Sequence, residues 1–111
     1  MNVDFKGYGE NVATFICDDN SLKAGDFVKM KDNNTVCAAT SGSEIIGCCV
    51  GVRDDYAAVQ LSGYIEAKAN AKITLGLTGI SVSSADTVQS STSASKHLVV
   101  YSDENTVGFI L

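Results

Sequence analysis

Two adjacent cysteines lie between two glycines in the stretch IIGCCVGV, residues 45–52, which contains no charged side chain. Paired cysteines can carry redox chemistry or bind a metal ion. Neighbouring residues of a strand point to opposite faces, so Cys48 and Cys49 cannot easily reach each other or ligate one metal ion. The other two, Cys17 and Cys37, also lie in apolar or β-prone segments, where free thiols are commonly buried. We therefore interpret the pair as part of a buried strand.

The remaining reactive side chains form no recognisable constellation. His97 is the only histidine, and catalysis by a nucleophile needs a base beside that nucleophile and a third group that orients the base. Three acidic pairs occur, and all fall at predicted turns, where aspartate binds backbone amides: Asp18–Asp19, Asp54–Asp55 and Asp103–Glu104. None belongs to a calcium-binding loop pattern, and no glycine-rich phosphate motif occurs. The sequence therefore predicts no enzyme, no metal site and no cofactor.

One lysine segment merits comparison with a modification site. VKMKD, residues 28–32, resembles the lysine hairpin of biotinyl carrier domains, because a methionine lies beside lysine. The carrier pattern has methionine on both sides of the lysine, whereas Lys29 follows valine and Lys31 precedes aspartate. A small β-barrel that carries a group or binds a small ligand remains an alternative.

Size and charge limit the possible partners. The 111 residues are enough for one domain with one core, and the formal charge of −5 offers nothing to a phosphate backbone. No apolar run is long enough to span a bilayer, and the first residues do not resemble a secretion signal. We expect a protein made in a cytoplasm that binds neither nucleic acid nor membrane.

Short apolar segments separated by Gly, Asn, Asp and Ser predict an all-β fold, a small single-domain β-barrel or sandwich of short antiparallel strands with little or no helix. We place strands at residues 12–17, 27–31, 35–39, 45–52, 56–61, 64–69, 79–84, 87–91, 97–102 and 106–111.

The distribution of apolar residues also predicts which of these strands is the most central. Residues 45–52 are apolar on both faces, which predicts the most central strand, with Gly47 and Gly51 allowing a neighbouring backbone to approach. The segment 66–72 contains helix formers but has no capping residue, so we assign it to a strand that runs into a turn.

Two polar segments are candidates for contact with a partner. Residues 81–96 are rich in Ser and Thr and predict weak strands and a long mobile loop. Residues 1–11 form an N-terminal arm, flexible unless tied down, before a β domain at 12–111. Its aromatic residues, Phe5 and Tyr8, either dock on a partner or fold back onto the barrel.

The two parts of the chain contain a weak internal sequence repeat. Gly25 is followed by the dipeptide Thr-Val at 35–36, and Gly76 is followed by Thr-Val at 87–88. The spacing indicates duplicated hairpins.

Three segments, LKAGDFVKMKDNNTVCAATSGSEIIGCCVGV (22–52), AAVQLSGYIEA (57–67) and TVGFIL (106–111), resemble the small capsid cement, or head decoration, proteins of tailed bacteriophages and prophages. The resemblance covers about residues 22–75 and the last six. It departs at TLGLTGI (74–80), where a second "aGd.v" motif is expected, and in the Ser/Thr-rich stretch that follows.

This resemblance implies a non-enzymatic β-barrel that binds the outer surface of a phage capsid and stabilises it. The implied partner is the phage major capsid protein, and the implied location is the surface of the virion. The resemblance is compatible with a homotrimer and with a monomer, since both occur among cement proteins. Phe5 and Tyr8 are our candidate capsid contacts, because aromatic residues are enriched at interfaces. Another virion component, such as a tail or fibre adaptor, is the nearest alternative.

Overall fold

The structure is a computed structural model that describes residues 11–111. These residues form ten strands and no helix, which confirms the all-β prediction. The strands are β1 Asn11–Cys17, β2 Val28–Asp32, β3 Thr35–Ala38, β4 Cys48–Arg53, β5 Tyr56–Ser62, β6 Tyr64–Ala69, β7 Gly76–Ser84, β8 Thr87–Ser90, β9 Lys96–Ser102 and β10 Thr106–Ile110.

The strands divide into two sheets at the middle of the chain. Strands β1–β5, the first half, form a sheet in the order β2-β3-β1-β5-β4. Strands β6–β10, the second half, form a closed barrel in the order β10-β6-β8-β7-β9. Most neighbours are antiparallel, as predicted, but β1 pairs with β3 and β6 pairs with β8 in parallel. The two strand orders are the same when each strand of the first half is matched to the strand five places later.

Pairing registers show that the two halves are structural repeats. In the parallel pairs, Cys17 lies opposite Val36, and Ala69 lies opposite Val88. Each half has a β-bulge in its second strand, at Lys31 and at Ser83, and another in its fourth strand. The repeated Thr-Val dipeptides in the sequence therefore belong to a duplication of the whole five-stranded unit.

Each half builds a core from equivalent positions. Buried residues of the first half match buried residues of the second in six pairs: Cys17 and Ala69, Val28 and Ile80, Val36 and Val88, Cys49 and Val99, Ala57 and Val107, Val59 and Phe109. Side chains alternate along each strand, so one face of every strand supplies this core. The duplicated pattern explains why two small cores form in a chain of this size.

The first half also contributes to the core of the second. Phe27 is fully buried in the cluster that contains Phe109, and the two ring centroids are 6.4 Å apart. Ala39 and Ile45 belong to the same cluster. The backbone N–H of Phe27 donates to the carbonyl oxygen of Ala85 at 2.8 Å. The halves are thus joined by a shared apolar core as well as by the short link at Gly63.

Two predictions about strand environment are wrong. The segment 45–52 is not the most central strand, because β4 lies at the end of the strand order and β1 and β5 lie nearer its middle. Gly51 meets no atom within 4 Å that an added Cβ would touch, so no backbone approaches it closely. Gly47 does have such a neighbour, since a Cβ there would lie 2.9 Å from the carbonyl oxygen of Gln60.

The Ser/Thr-rich segment 81–96 is also more ordered than predicted. It contains the end of β7, all of β8 and the first residue of β9. Val82 and Val88 lie in the core, and Ser81 and Thr87 are buried. Small polar residues are accommodated because their alternate neighbours are apolar, which leaves only the turns 85–86 and 91–95 of this segment outside a strand. The segment 66–72 ends β6 and enters a turn, as predicted.

Gly47 and Gly51 provide a matched pair of substitutions. Gly47→Ala places its Cβ 2.6 Å from Cγ1 of the buried Val59, so we expect a loss of about 1–3 kcal/mol in the free energy of unfolding. Gly51→Ala meets open space and should leave stability unchanged or raise it by up to about 1 kcal/mol. Urea unfolding of both variants measures the difference, and equal losses would contradict the packing described.

Asp19 makes stability depend on pH in the acid range. Its carboxylate accepts hydrogen bonds from the N–H and Oγ of Ser21 and from the N–H of Ala38. These bonds, the Ser21 hydroxyl first, lower the pKa of Asp19 from 3.8 to about 2. Because the folded pKa lies below the unfolded one, the stabilisation is present above pH 3.8 and is lost as the pH falls through about 2.

Asp19→Asn should therefore lower the melting temperature at neutral pH and show a smaller further fall between pH 4 and pH 2 than the native protein. Asp18→Asn is the matched control, because the carboxylate of Asp18 makes an exposed ion pair with Lys31, a type of contact that contributes little. An unchanged acid profile for Asp19→Asn would contradict this role.

Candidate functional site

All four cysteines are free thiols, and the two in the GCCVG stretch are held in apolar surroundings. Burial raises the pKa of Cys48 to about 11 and also raises the pKa of Cys49. Both thiols are therefore protonated at neutral pH, whereas nucleophilic attack and metal binding require the thiolate. Cys49 also occupies the core position that Val99 fills in the second half. This position needs an apolar side chain of moderate size, which supports the structural interpretation of the pair.

His97 has a packing role on β9. Its Nδ1 lies 3.3 Å from the carbonyl oxygen of Ile110, and its ring meets the edge of Phe109 at a centroid distance of 5.7 Å. Its Nε2 is buried and has no hydrogen-bond partner within residues 11–111. No hydroxyl or thiol is hydrogen-bonded to the ring in the same range, so the described residues do not assemble a base and a nucleophile.

The acidic pairs lie at turns. Asp103 accepts hydrogen bonds from the N–H groups of Asn105 and Thr106, both at 2.8 Å, and from the hydroxyl of Tyr101. The Tyr101 bond is the main reason that the pKa of Asp103 is lowered. Asp54 has a φ of 53°, a backbone conformation typical of tight turns. Residues 11–111 contain no group of three or more His, Cys, Asp or Glu side chains arranged to hold a metal ion.

The two lysines of VKMKD have neighbours on strand β2. Lys29 Nζ lies 3.3 Å from the hydroxyl oxygen of Thr40, and Lys31 Nζ lies 2.8 Å from a carboxylate oxygen of Asp18. The hairpin turn after β2 is formed by other residues, including Asn34 with its φ of 57°. Both lysines therefore lie along a strand and not at the tip of the hairpin.

The strongest surface feature of the described chain is an apolar face on the first half. Val12 and Ile16 from β1, Val52 from β4 and Tyr56 from β5 are all more than a third exposed. We call this surface the first-half outer face and define it by Val12, Thr14, Ile16, Val50, Gly51, Val52, Tyr56 and Ala58.

A groove of about 460 Å³ crosses the first-half outer face. Its lining includes the small residues Thr14, Gly51 and Ala58, with Val52, Tyr56 and the charged Arg53 and Asp54 beside them. The absence of large side chains at the first three positions leaves the outside of the sheet concave. Such a groove can accept an apolar or aromatic side chain of a partner.

The second half does not have this groove, although its backbone is equivalent. Ile16 pairs with Tyr56 in β1 and β5, and the corresponding pair in β6 and β10 is Lys68 with Thr106. The side chain of Tyr64 covers Gly108, where an added Cβ would collide with its hydroxyl oxygen.

The Tyr64 hydroxyl also donates to Glu66 at 3.0 Å. The outer surface of the second half is therefore more polar at these positions, with Glu66, Lys68 and Thr106 where the first half has Thr14, Ile16 and Tyr56. Since both halves fold on the same plan, the apolar residues of the first-half outer face are not a requirement of the fold.

The sequence-predicted contacts, Phe5 and Tyr8, lie outside the described residues. Sequence reasoning did not identify the first-half outer face. The signal was present in VATFIC, residues 12–17, which is apolar at alternate positions on both faces of the strand. A strand that forms the outside of a small barrel needs only one apolar face, so the second apolar face indicated a contact surface.

Comparison with known proteins finds no family model that matches the chain. No curated protein matches it either. Within residues 11–111, no helix could cross a membrane.

Proposed function

We propose that this protein is a non-enzymatic structural protein that binds the outer surface of a phage capsid lattice and stabilises it. The sequence resemblance supports this role, and so does the small all-β fold. The observation that carries most weight is the first-half outer face, an apolar surface that the duplicated fold does not need for its own core. The partner in this proposal is the phage major capsid protein, bound after synthesis in the bacterial cytoplasm.

Binding to a lattice can be firm even when each contact is modest. Many copies of a capsid subunit present the same epitope, so a protein that contacts more than one subunit gains from effective concentration. The resemblance is also compatible with a homotrimer, which would place three copies of each contact on one lattice position. A compact protein with an apolar groove and two aromatic residues in its arm fits this mode of binding.

The proposal is tested by locating the protein in the particle. Virions from the native host are purified and imaged by cryo-electron microscopy, and isolated capsids are mixed with purified protein and sedimented. We expect density for this chain on the outside of the shell and co-sedimentation that saturates. Density confined to the tail would support a tail or fibre adaptor, and absence from the virion would overturn the capsid role.

A further inference from the structure

The contact between the two halves is asymmetric, because a loop of one half meets a strand edge of the other. A loop of the first half, residues 40–45, lies along the edge of β7 in the second half. The N–H of Val82 donates to the carbonyl oxygen of Ser43 at 2.9 Å, and the N–H of Gly42 donates to the carbonyl oxygen of Val82 at 2.8 Å. The first half thus uses one surface to cover the edge of the second half. The loop 92–96 of the second half also touches the first half, because the N–H and hydroxyl of Ser95 donate to the carboxylate of Glu44, but this contact is with the loop 40–45 and not with the edge of β2.

Within residues 11–111, nothing pairs with the corresponding edge of the first half. Met30 is the equivalent of Val82, because Met30 lies opposite Val36 and Val82 lies opposite Val88. The main-chain groups at this position point away from the neighbouring strand. No backbone partner for Met30 across this edge occurs in the described part of the chain. Its side chain is 49% exposed, whereas Val82 is 0% exposed.

The loop that would cover this edge is present in duplicate. Residues 40–44 read TSGSE, and residues 92–96 of the second half read TSASK. The first copy of the motif covers Val82. In the second copy, the N–H and hydroxyl of Ser95 donate to Glu44. The carbonyl oxygen of Ser95 accepts a bond from the N–H of Ile80 and retains a second lone pair, and the N–H of Ala94 makes no backbone bond among residues 11–111.

A second pair of surfaces follows the same direction. The turn at Gly25, with a φ of 97°, lies in the first half beside Lys68, Asp86 and Thr106 of the second half. The equivalent position of the second half is Gly76, the first residue of β7, with a φ of 94°. The two glycines correspond because Gly25 bonds to Cys49 and Gly76 lies opposite Val99.

Both members of the second pair of surfaces carry exposed apolar side chains. Gly76 is flanked by Leu75 and Leu77, which are 60% and 71% exposed. The surface that this turn would meet is that of the first half, where Lys68 and Thr106 are replaced by Ile16 and Tyr56. The exposed leucines at the Gly76 turn of one copy are therefore complementary to the exposed Ile16 and Tyr56 of another copy.

We propose that a second copy of this chain binds head to tail, with the Gly76 turn and the 92–96 loop of one copy on the first-half outer face and the Met30 edge of the next. This contact repeats between chains the arrangement that joins the halves within a chain. A heterologous contact of this kind closes into a ring when its rotation permits and otherwise extends into a filament. The inference rests on the internal repeat. It uses the same first-half outer face as the capsid proposal, so one face cannot bind a second copy and a capsid subunit at once, and sedimentation of the free protein tests self-association separately from capsid binding.

Two variants separate the two sides of the contact. The double variant Leu75→Ser, Leu77→Ser alters only the Gly76 turn, which we call the outgoing surface. The double variant Ile16→Lys, Tyr56→Thr alters only the first-half outer face, which we call the incoming surface, and gives it the residues that the second half has at the same positions. All four side chains are exposed, so circular dichroism should show folded proteins. Each variant alone should associate at least about tenfold more weakly than the native chain in sedimentation velocity, because apolar surface stays in water.

Mixing the two variants gives the decisive result. Each variant retains one intact surface, and the two intact surfaces are complementary, so an equimolar mixture should form a dimer and stop there. The matched control is Leu61→Ser, which changes an exposed apolar residue outside both proposed surfaces and should associate like the native chain. A native chain that stays monomeric up to millimolar concentration, or a mixture that stays monomeric, would overturn the proposal.

Discussion

Replacing Phe27 by alanine should lower the free energy of unfolding by about 3–5 kcal/mol, the range observed for buried phenylalanines. Phe27 is fully buried, and its ring stacks on Phe109 in the core of the second half. Its backbone belongs to the first half, directly before β2. Removing the ring therefore opens a cavity in one half and at the same time weakens the connection between the halves. Urea unfolding followed by circular dichroism measures the loss.

Phe15→Ala is the matched control for this experiment. Phe15 is only partly buried and packs against the core of the first half, away from the contact between halves. Its truncation should cost about 1–2 kcal/mol, since less apolar area returns to water. If Phe27→Ala cost no more than Phe15→Ala, the two halves would not share a core.

The fold was predictable from the sequence because its strands are short and their boundaries carry turn residues. All ten predicted strand positions coincide with observed strands to within a few residues. The parallel pairs β1–β3 and β6–β8 were not predictable, because alternation within a strand reports which residues face the core and not which strand lies beside it. The duplication was visible only as Gly25 and Gly76 and two Thr-Val dipeptides.

The error over residues 45–52 has a physical cause. A segment that is apolar on both faces predicts a strand covered on both sides. Here Cys49 faces the core of the first half, while Val50 and Val52 are exposed at the surface. The second apolar face was therefore a sign of a contact surface, and sequence alone could not distinguish cover by the same chain from cover by a partner.

The candidate site was predicted only in part. Phe5 and Tyr8 remain predicted contacts, because they lie outside the described residues. The first-half outer face required the structure, since its members come from three strands that are separated along the chain. Comparison with the second half identifies it, because Lys68 and Thr106 show which residues the same fold tolerates at these positions.

Deleting residues 2–10 should leave the free protein folded and weaken its binding to capsids by about 100- to 1000-fold per copy. The buried clusters within residues 11–111 match each other position by position between the two halves, so we expect the melting temperature to change by less than about 2 °C. The deletion removes Phe5 and Tyr8, and aromatic anchors at interfaces commonly contribute about 2 kcal/mol or more each. Co-sedimentation with capsids, compared with differential scanning calorimetry of the free protein, measures the two effects separately.

The double variant Phe5→Ala, Tyr8→Ala tests the same contact without shortening the chain, and Ser93→Ala in the turn 91–95 is its surface control. The double variant should reproduce most of the loss, because large aromatic side chains provide contact area at low entropic cost, and the control should bind normally. A deletion that unfolds the protein would show that Phe5 and Tyr8 belong to a core. A deletion that binds normally would contradict the arm as the contact, and weakened binding by Ile16→Lys or Ser93→Ala would then place it on the first-half outer face or on the turn.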